Sequence, residues 1–122
     1  MRSDIQHALE NDSTIDITTI GRNTGRERRI EIWFHNIDGE LYITGLPGKR
    51  DWYANLRANP AFTFHLKESM QVDIPAQATV IIDETKRREI MTIILERLGR
   101  MSQLEAWVAH SPLVHVDLHC EV

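Results

Sequence analysis

Residues 15–45, IDITTIGRNTGRERRIEIWFHNIDGELYITG, decide the fold class. Residues 15–21 are rich in β-branched side chains and alternate apolar with polar, the pattern of a half-buried strand. Asn23-Thr24-Gly25 reads as a turn. Residues 27–35 alternate again, with Ile30, Ile32 and Phe34 on one face. Asp38-Gly39 is the strongest hairpin signal in the chain, because a two-residue turn of the right twist needs positive φ at both positions. Residues 40–45 form the next strand. Strands joined by such short turns run antiparallel.

The same logic extends outward. Ser3-Asp4-Ile5-Gln6 has the spacing of a capping box and predicts a short helix through Leu9. Residues 46–50 form a loop, after which Asp51 is expected to cap a short helix over 52–58. That helix must end near Asn59-Pro60, since the residue before proline avoids helical backbone. Residues 61–67 and 70–82 read as strands, with Pro75 marking an edge or a bulge in the second. Asp83 caps a longer helix with Ile90, Ile93, Ile94 and Leu98 at helical spacing, a stripe for core or dimer packing, and Gly99 ends it. Ser102 to Glu105 is a second capping box, opening a helix through Ala109. Ser111-Pro112 breaks it, and residues 113–120 form the last strand. The expected fold is mainly β (α+β): six antiparallel strands in a closed or nearly closed barrel, which hides strand edges, with short flanking helices.

The 122 residues suit one domain over 1–122. No apolar run approaches the ~20 residues of a membrane-spanning helix. The opening MRSDIQHALEND lacks the apolar stretch of a signal peptide, so a cytoplasmic location is the default. Cys120 stands alone and forms no internal disulfide, in keeping with a reducing compartment. It reads as a small buried apolar residue. The net charge of −4 disfavours nucleic acid as the main partner. The charge is uneven: seven of the 14 basic residues lie between Arg22 and Arg57, a segment at +2, and the remainder of the chain is at −6. From charge alone two readings stay open, a local anion site or a solvated hairpin face.

Two stretches can carry chemistry. In Gly21-Arg22-Asn23-Thr24-Gly25-Arg26-Glu27-Arg28-Arg29 a glycine-bounded turn exposes backbone N–H groups beside guanidinium forks, a combination suited to phosphate or carboxylate. It lacks the Gly-Lys-Ser/Thr ending of a P-loop, and a strand rather than a helix follows it. In Gly45 to Pro60 a glycine-rich basic loop leads straight into a helix, whose free N–H groups and dipole favour an anion. Trp52 and Tyr53 there offer ring faces to a flat ligand, while Trp52 and Leu56 at i and i+4 also suit plugging the barrel end.

Together, TTIGRNTGRERRIEIWF (18–34) and GLPGKRDWYANLRANP (45–60) resemble the deazaflavin-dependent nitroreductase/quinone reductase family. Gly21, Arg22, Thr24, Gly25 and Arg28 match its hairpin motif. Trp52, Asn55, Leu56, Ala58, Asn59 and Pro60 match its helix motif. The chain departs from many members in having Glu31-Ile32 where they have Pro-Leu, and in a shorter basic loop. The resemblance implies a split β-barrel of the flavin-mononucleotide-binding superfamily, the reduced deazaflavin F-420 as cofactor (FMN as the alternative), and hydride transfer to a quinone, nitroaromatic or other small unsaturated acceptor. It also implies a homodimer. Arg22, Thr24, Arg26, Arg28 and Arg29 are then the candidates for the cofactor's phosphate or acidic tail. Gly48, Lys49 and Arg50 would add backbone and charge contacts. Ile30, Ile32 and Trp33 would border the ring, with Trp52 and Asn55 from the second motif. Strand alternation lets only part of that set face one ligand. No catalytic residue is assigned; Tyr53 or a histidine could supply a proton.

The competing classes are a non-catalytic module holding flavin, haem or another small ligand, and a nucleic-acid-binding barrel, which the acidity disfavours. His115, Asp117 and His119 share one strand face, but three residues on a flat strand rarely wrap one ion, so no metal is expected. His35 and His65 read as ordinary barrel residues, and no nucleophile triad is expected.

Overall fold

The computed structural model describes residues 2–119; the position expected of Cys120 lies outside them. Helix α1 (Ser3–Asn11) precedes strands β1 (Thr14–Ile20), β2 (Glu27–Ile37) and β3 (Glu40–Thr44). Helix α2 (Asp51–Ala58) leads into β4 (Ala61–Leu66) and β5 (Val72–Val80). Helix α3 (Glu84–Leu98), a 3₁₀ turn over Met101–Gln103 and α4 (Leu104–His110) come before β6 (Leu113–Leu118). The strands close into an antiparallel barrel in the order β1-β2-β3-β6-β5-β4.

Alternation fills the barrel. Ile15 and Ile17 of β1 meet Phe34 of β2, Ile43 of β3, Phe64 and Leu66 of β4 and Val114 of β6, all buried. Each such side chain contributes about 1.5–3 kcal/mol by leaving water. Phe34 and Phe64 meet edge to face at 5.6 Å. Ile5, Ala8 and Leu9 of α1 close the end where β1 begins, and Trp52 and Leu56 of α2 close the end where it finishes. A second apolar cluster covers the outside of β3 and β6, where Ile90, Met91, Ile94 and Leu95 of α3 pack with Trp107 and Val108 of α4. The buried stripe of α3 thus differs from the expected one: Ile93 is exposed, and Met91 and Leu95 take its place.

Register explains the split. β2 pairs with β1 over residues 27–33 and with β3 only over 34–37. The first half of β2 therefore has a strand on one edge only. Asp38 (φ 52) and Gly39 (φ 89) form the two-residue turn into β3, with positive φ at both positions as expected. Pro75 sits where β5 outruns β6, whose ladder begins at Ala76. Its carbonyl accepts from His119 N at 2.8 Å, so its missing N–H faces the end of a ladder and costs no strand hydrogen bond.

Three expected caps do not form. α1 starts after Arg2, so Ser3 is already helical and the Ser3–Gln6 box is not made; Asp4 in the first turn pairs with the Arg2 guanidinium at 2.6 Å. Asp51 is the first residue of α2, with Arg50 at the cap position and no side chain capping it. Ser102 lies inside the 3₁₀ turn, and α4 starts at Leu104. Asp83 does cap α3, accepting from Lys86 N at 2.9 Å, and Gly99 (φ 69) ends that helix in the left-handed region.

Candidate functional site

The hairpin after β1, the loop after β3 and the start of α2 converge at one end of the barrel. Two adjoining recesses lie there. A cavity of about 480 Å³ is lined by Thr19, Arg22, Thr24, Arg28, Ile30 and Trp52, among others. A groove of about 960 Å³ runs along the other flank of α2, past Gly48, Lys49 and Arg50. Arg22 and Asp51 line both.

The hairpin owes its shape to close contacts. Gly21 N donates to Arg26 O at 2.8 Å and Gly25 N to Gly21 O at 2.9 Å. The Thr24 hydroxyl accepts from Arg26 N at 3.2 Å and would lie 2.7 Å from a Cβ on Gly21, so a side chain there would displace it. Asn55, 4% exposed, ties this hairpin to α2: its Oδ1 accepts from Arg22 N at 3.1 Å and from Arg22 Nη1 at 3.0 Å. Arg22 also reaches Asp51 at 3.4 Å. Asn55 therefore acts chiefly on Arg22, aiming the guanidinium between the two recesses.

Charge is concentrated here. Among the described residues, Arg26, Arg28, Lys49, Arg50 and Arg57 have no carboxylate within salt-bridge distance. Arg29 and Lys67, on the outer wall, both pair with Asp16, at 2.9 and 2.7 Å, and Lys67 pairs with Glu31 as well. The first turn of α2 has no side-chain cap, leaving N–H donors free at the same place. Free N–H donors and unpaired cations at one place are able to receive an anion, although residues 22–29 are themselves exposed.

Alternation divides the sequence-derived set. Arg28 and Ile30 face the cavity with Thr19. Ile32 stands two residues along the same face and packs against the core. Arg29 and Trp33 point to the outer wall, Trp33 being 55% exposed, and the structure brings neither to the cavity. Thr19, Asn23 and Asp51 line the cavity without having been singled out. Thr19 could have been found from the inward face it shares with Ile15 and Ile17; Asp51 was read only as a cap.

The histidines lie elsewhere. His35 is half-buried; desolvation, then the nearby Arg97 charge, lowers its pKa to about 4. His65 is buried on the outer wall between Thr18 Oγ1 at 2.7 Å and Asp73 Oδ1 at 2.6 Å. His115 pairs with Glu40 at 2.5 Å and meets the Tyr42 ring at a tilt of 59°, centroids 5.4 Å apart.

A family model described as F420H(2)-dependent quinone reductase matches residues 2–106. The chain belongs to that family. Its members' donor is the reduced deazaflavin F420, and the chain is accordingly an F420-class oxidoreductase. Comparison with curated proteins returns no match. Among solved structures, HutZ, the heme storage protein from Vibrio cholerae, is 14% identical with a TM-score of 0.74, over 99% of this chain and 93% of that one. A putative pyridoxamine 5′-phosphate oxidase from Listeria innocua is 14% identical at a TM-score of 0.72, over 95% and 91%. An F420-H2 dependent reductase (FDR-A) is 17% identical at a TM-score of 0.65, over 87% and 95%. At these identities the likeness establishes the shared split-barrel fold. The residues of this candidate site are compatible with F420: Arg28 and the α2 N–H groups suit an anionic tail, and Ile30 and Trp52 in the same lining suit a flat ring.

Proposed function

We propose that this reductase transfers hydride from bound reduced F420 to a small unsaturated acceptor, a quinone or nitroaromatic. The observation that carries the reading is the uncapped α2 terminus between two cation-lined recesses: Arg28 lines the cavity beside Ile30 and Trp52, and Lys49 and Arg50 line the groove, while Arg26 lines neither and would have to reach in from the hairpin tip. Arg22, Thr24, Arg26 and Arg28 hold the phosphate or acidic tail. Gly48, Lys49 and Arg50 contribute from the loop, where Gly48 (φ 124) lets the backbone turn toward the ligand. Ile30 and Trp52 border the ring. Asn55 is a positioning residue, holding Arg22.

When bound, reduced F420 supplies a hydride, which with one solvent proton converts a quinone to its hydroquinone. The protein's part is to orient, to exclude water and to place positive charge near the developing oxyanion. FMN would draw on the same cations and is the alternative cofactor. Residues 1–122 act as one cofactor-binding domain, in the cytoplasm and as a homodimer. Support for the dimer is the open edge of β2 beside exposed Trp33, and a structural neighbour described as a domain-swapped dimer, 17% identical at a TM-score of 0.66. Among the described residues no helix is long and apolar enough to cross a membrane.

Single-turnover oxidation of protein-bound reduced F420 by menadione tests the reading. Turnover well above the free-cofactor rate is expected, and Arg28→Ala should slow it by weakening binding. Cofactor that binds but reacts no faster than in solution would move the protein to the class of binding modules.

A further inference from the structure

We propose that the groove beside α2 seats the electron acceptor and selects acceptors that carry a carboxylate on a flat apolar body. The inference rests on the reductase reading and adds the substrate class. The groove, at about 960 Å³, has twice the volume of the cavity; Gly48, Lys49 and Arg50 at its rim are assigned above to the cofactor, but the half lined by Tyr53, Arg57, Ile81, Ile82 and Ser111 uses no side chain so assigned. The two recesses share Arg22 and Asp51, so an acceptor in the groove adjoins a cofactor in the cavity.

One wall of that half is α2. Arg57 lies one turn beyond Tyr53, its guanidinium carbon 5.9 Å from the ring centre. The guanidinium is held over this ring, so a carboxylate that pairs with Arg57 brings its flat apolar body alongside α2. The other wall is Ile81 and Ile82, between β5 and α3, with Ile82 83% exposed. Pro47 and Pro112 add apolar surface. Asp51 is the one acid lining the groove among the described residues, and it is engaged by Arg22. Arg57 has no carboxylate partner there.

The α4–β6 corner supplies the independent observation. Ser111 lines the groove, is 4% exposed, and its hydroxyl has no hydrogen-bond partner. Leaving such a group buried and unpaired costs about 1–3 kcal/mol, which an oxygen of a ligand would relieve. The corner is rigid. The buried Arg87 guanidinium donates to Ser111 O at 2.5 Å, Val108 O at 2.9 Å and Ile81 O at 2.9 Å, and Gly48 N donates to His110 O at 3.0 Å. Apolar walls, a carboxylate-ready cation and a buried hydroxyl donor define an acidic aromatic or quinonoid acceptor.

The test uses the full chain and two probes. In the first arm, 2-naphthoate, which is not reduced, is titrated into wild type and Arg57→Gln by chemical-shift mapping. Wild type should bind with shifts at Tyr53 and Ser111, and Arg57→Gln should weaken binding about tenfold. In the second arm, turnover with reduced F420 is compared for menadione and a naphthoquinone bearing a propionate. Wild type should prefer the propionate form, and Arg57→Gln should cut that preference about tenfold. Equal effects on both quinones, naphthoate shifts elsewhere, or a raised Kd for F420 in Arg57→Gln would overturn the proposal; the last would place the cofactor's tail in the groove. No turnover with either quinone would overturn the reductase reading along with it, whereas turnover indifferent to Arg57 would overturn this inference alone.

Discussion

Asn55→Ala tests whether the hairpin and α2 form one unit. The change removes the acceptor of two hydrogen bonds, Arg22 N at 3.1 Å and Arg22 Nη1 at 3.0 Å. The third contact, Nδ2 to Thr19 Oγ1 at 3.5 Å, is too long to contribute much. A neutral bond is worth about 0.5–1.5 kcal/mol and one to a charged group about 1.5–3 kcal/mol. Because the Arg22 side chain is 37% exposed, water re-solvates its guanidinium in the variant, and the lower end applies. The expected loss is about 2 kcal/mol, a fall in Tm of roughly 8 °C for a chain of this size. Arg22→Ala should cost less, and the double variant little more than Asn55→Ala alone, since both remove the same guanidinium contact. F420 affinity should fall in each. Urea unfolding and cofactor titration on the four proteins supply the cycle. Additive losses, or an Asn55→Ala protein with wild-type stability and affinity, would refute the claim that Asn55 positions Arg22.

Three further outcomes follow from the geometry. Arg87→Met should destabilise the fold by about 3 kcal/mol or more, because it strands the carbonyls of Ile81, Val108 and Ser111; Arg87→Lys, which lacks the fork, should recover less than half by urea unfolding. His35, whose pKa falls from 6.5 to about 4 on folding, stays neutral where the unfolded chain takes a proton. Its contribution is therefore complete above pH 6.5 and is lost as pH falls toward 4, by about 3 kcal/mol, and His35→Gln should flatten the stability profile over that window. Gly21→Ala should weaken F420 binding by driving the Thr24 hydroxyl off Arg26 N, and Thr24→Ala in the same chain should relieve the clash and restore most of the lost stability in thermal unfolding.

The barrel was legible because its strands are half-buried: alternation in residues 15–20 and 27–34 fixes which side chains face inward, and Asp38-Gly39 fixes the register of β2 on β3. β3 hid its context. Tyr42 and Thr44 face outward yet are buried under α3, so its pattern carries no solvent side. The capping boxes failed because the helices start elsewhere: Arg2 rather than Ser3 takes the cap position of α1, and Ser102 lies inside a 3₁₀ turn. For the candidate site, the two loops singled out in the sequence do converge at one end of the barrel. It did not separate Arg28, which faces the cavity, from Arg29, which pairs with Asp16 on the far wall, because one residue of strand register decides between them. Arg87 and Ser111 gave no sequence signal: one is a lone arginine in a charged helix, and the other matters only because the α4–β6 corner buries it.

Binding of F420 at this barrel end is tested by direct titration. Purified protein should be titrated with F420 and separately with FMN, following cofactor fluorescence. Saturable binding of F420, tighter than FMN and weakened at least tenfold by Arg28→Ala, is the predicted result. Absence of F420 binding, or binding indifferent to Arg28→Ala, would contradict the site described here.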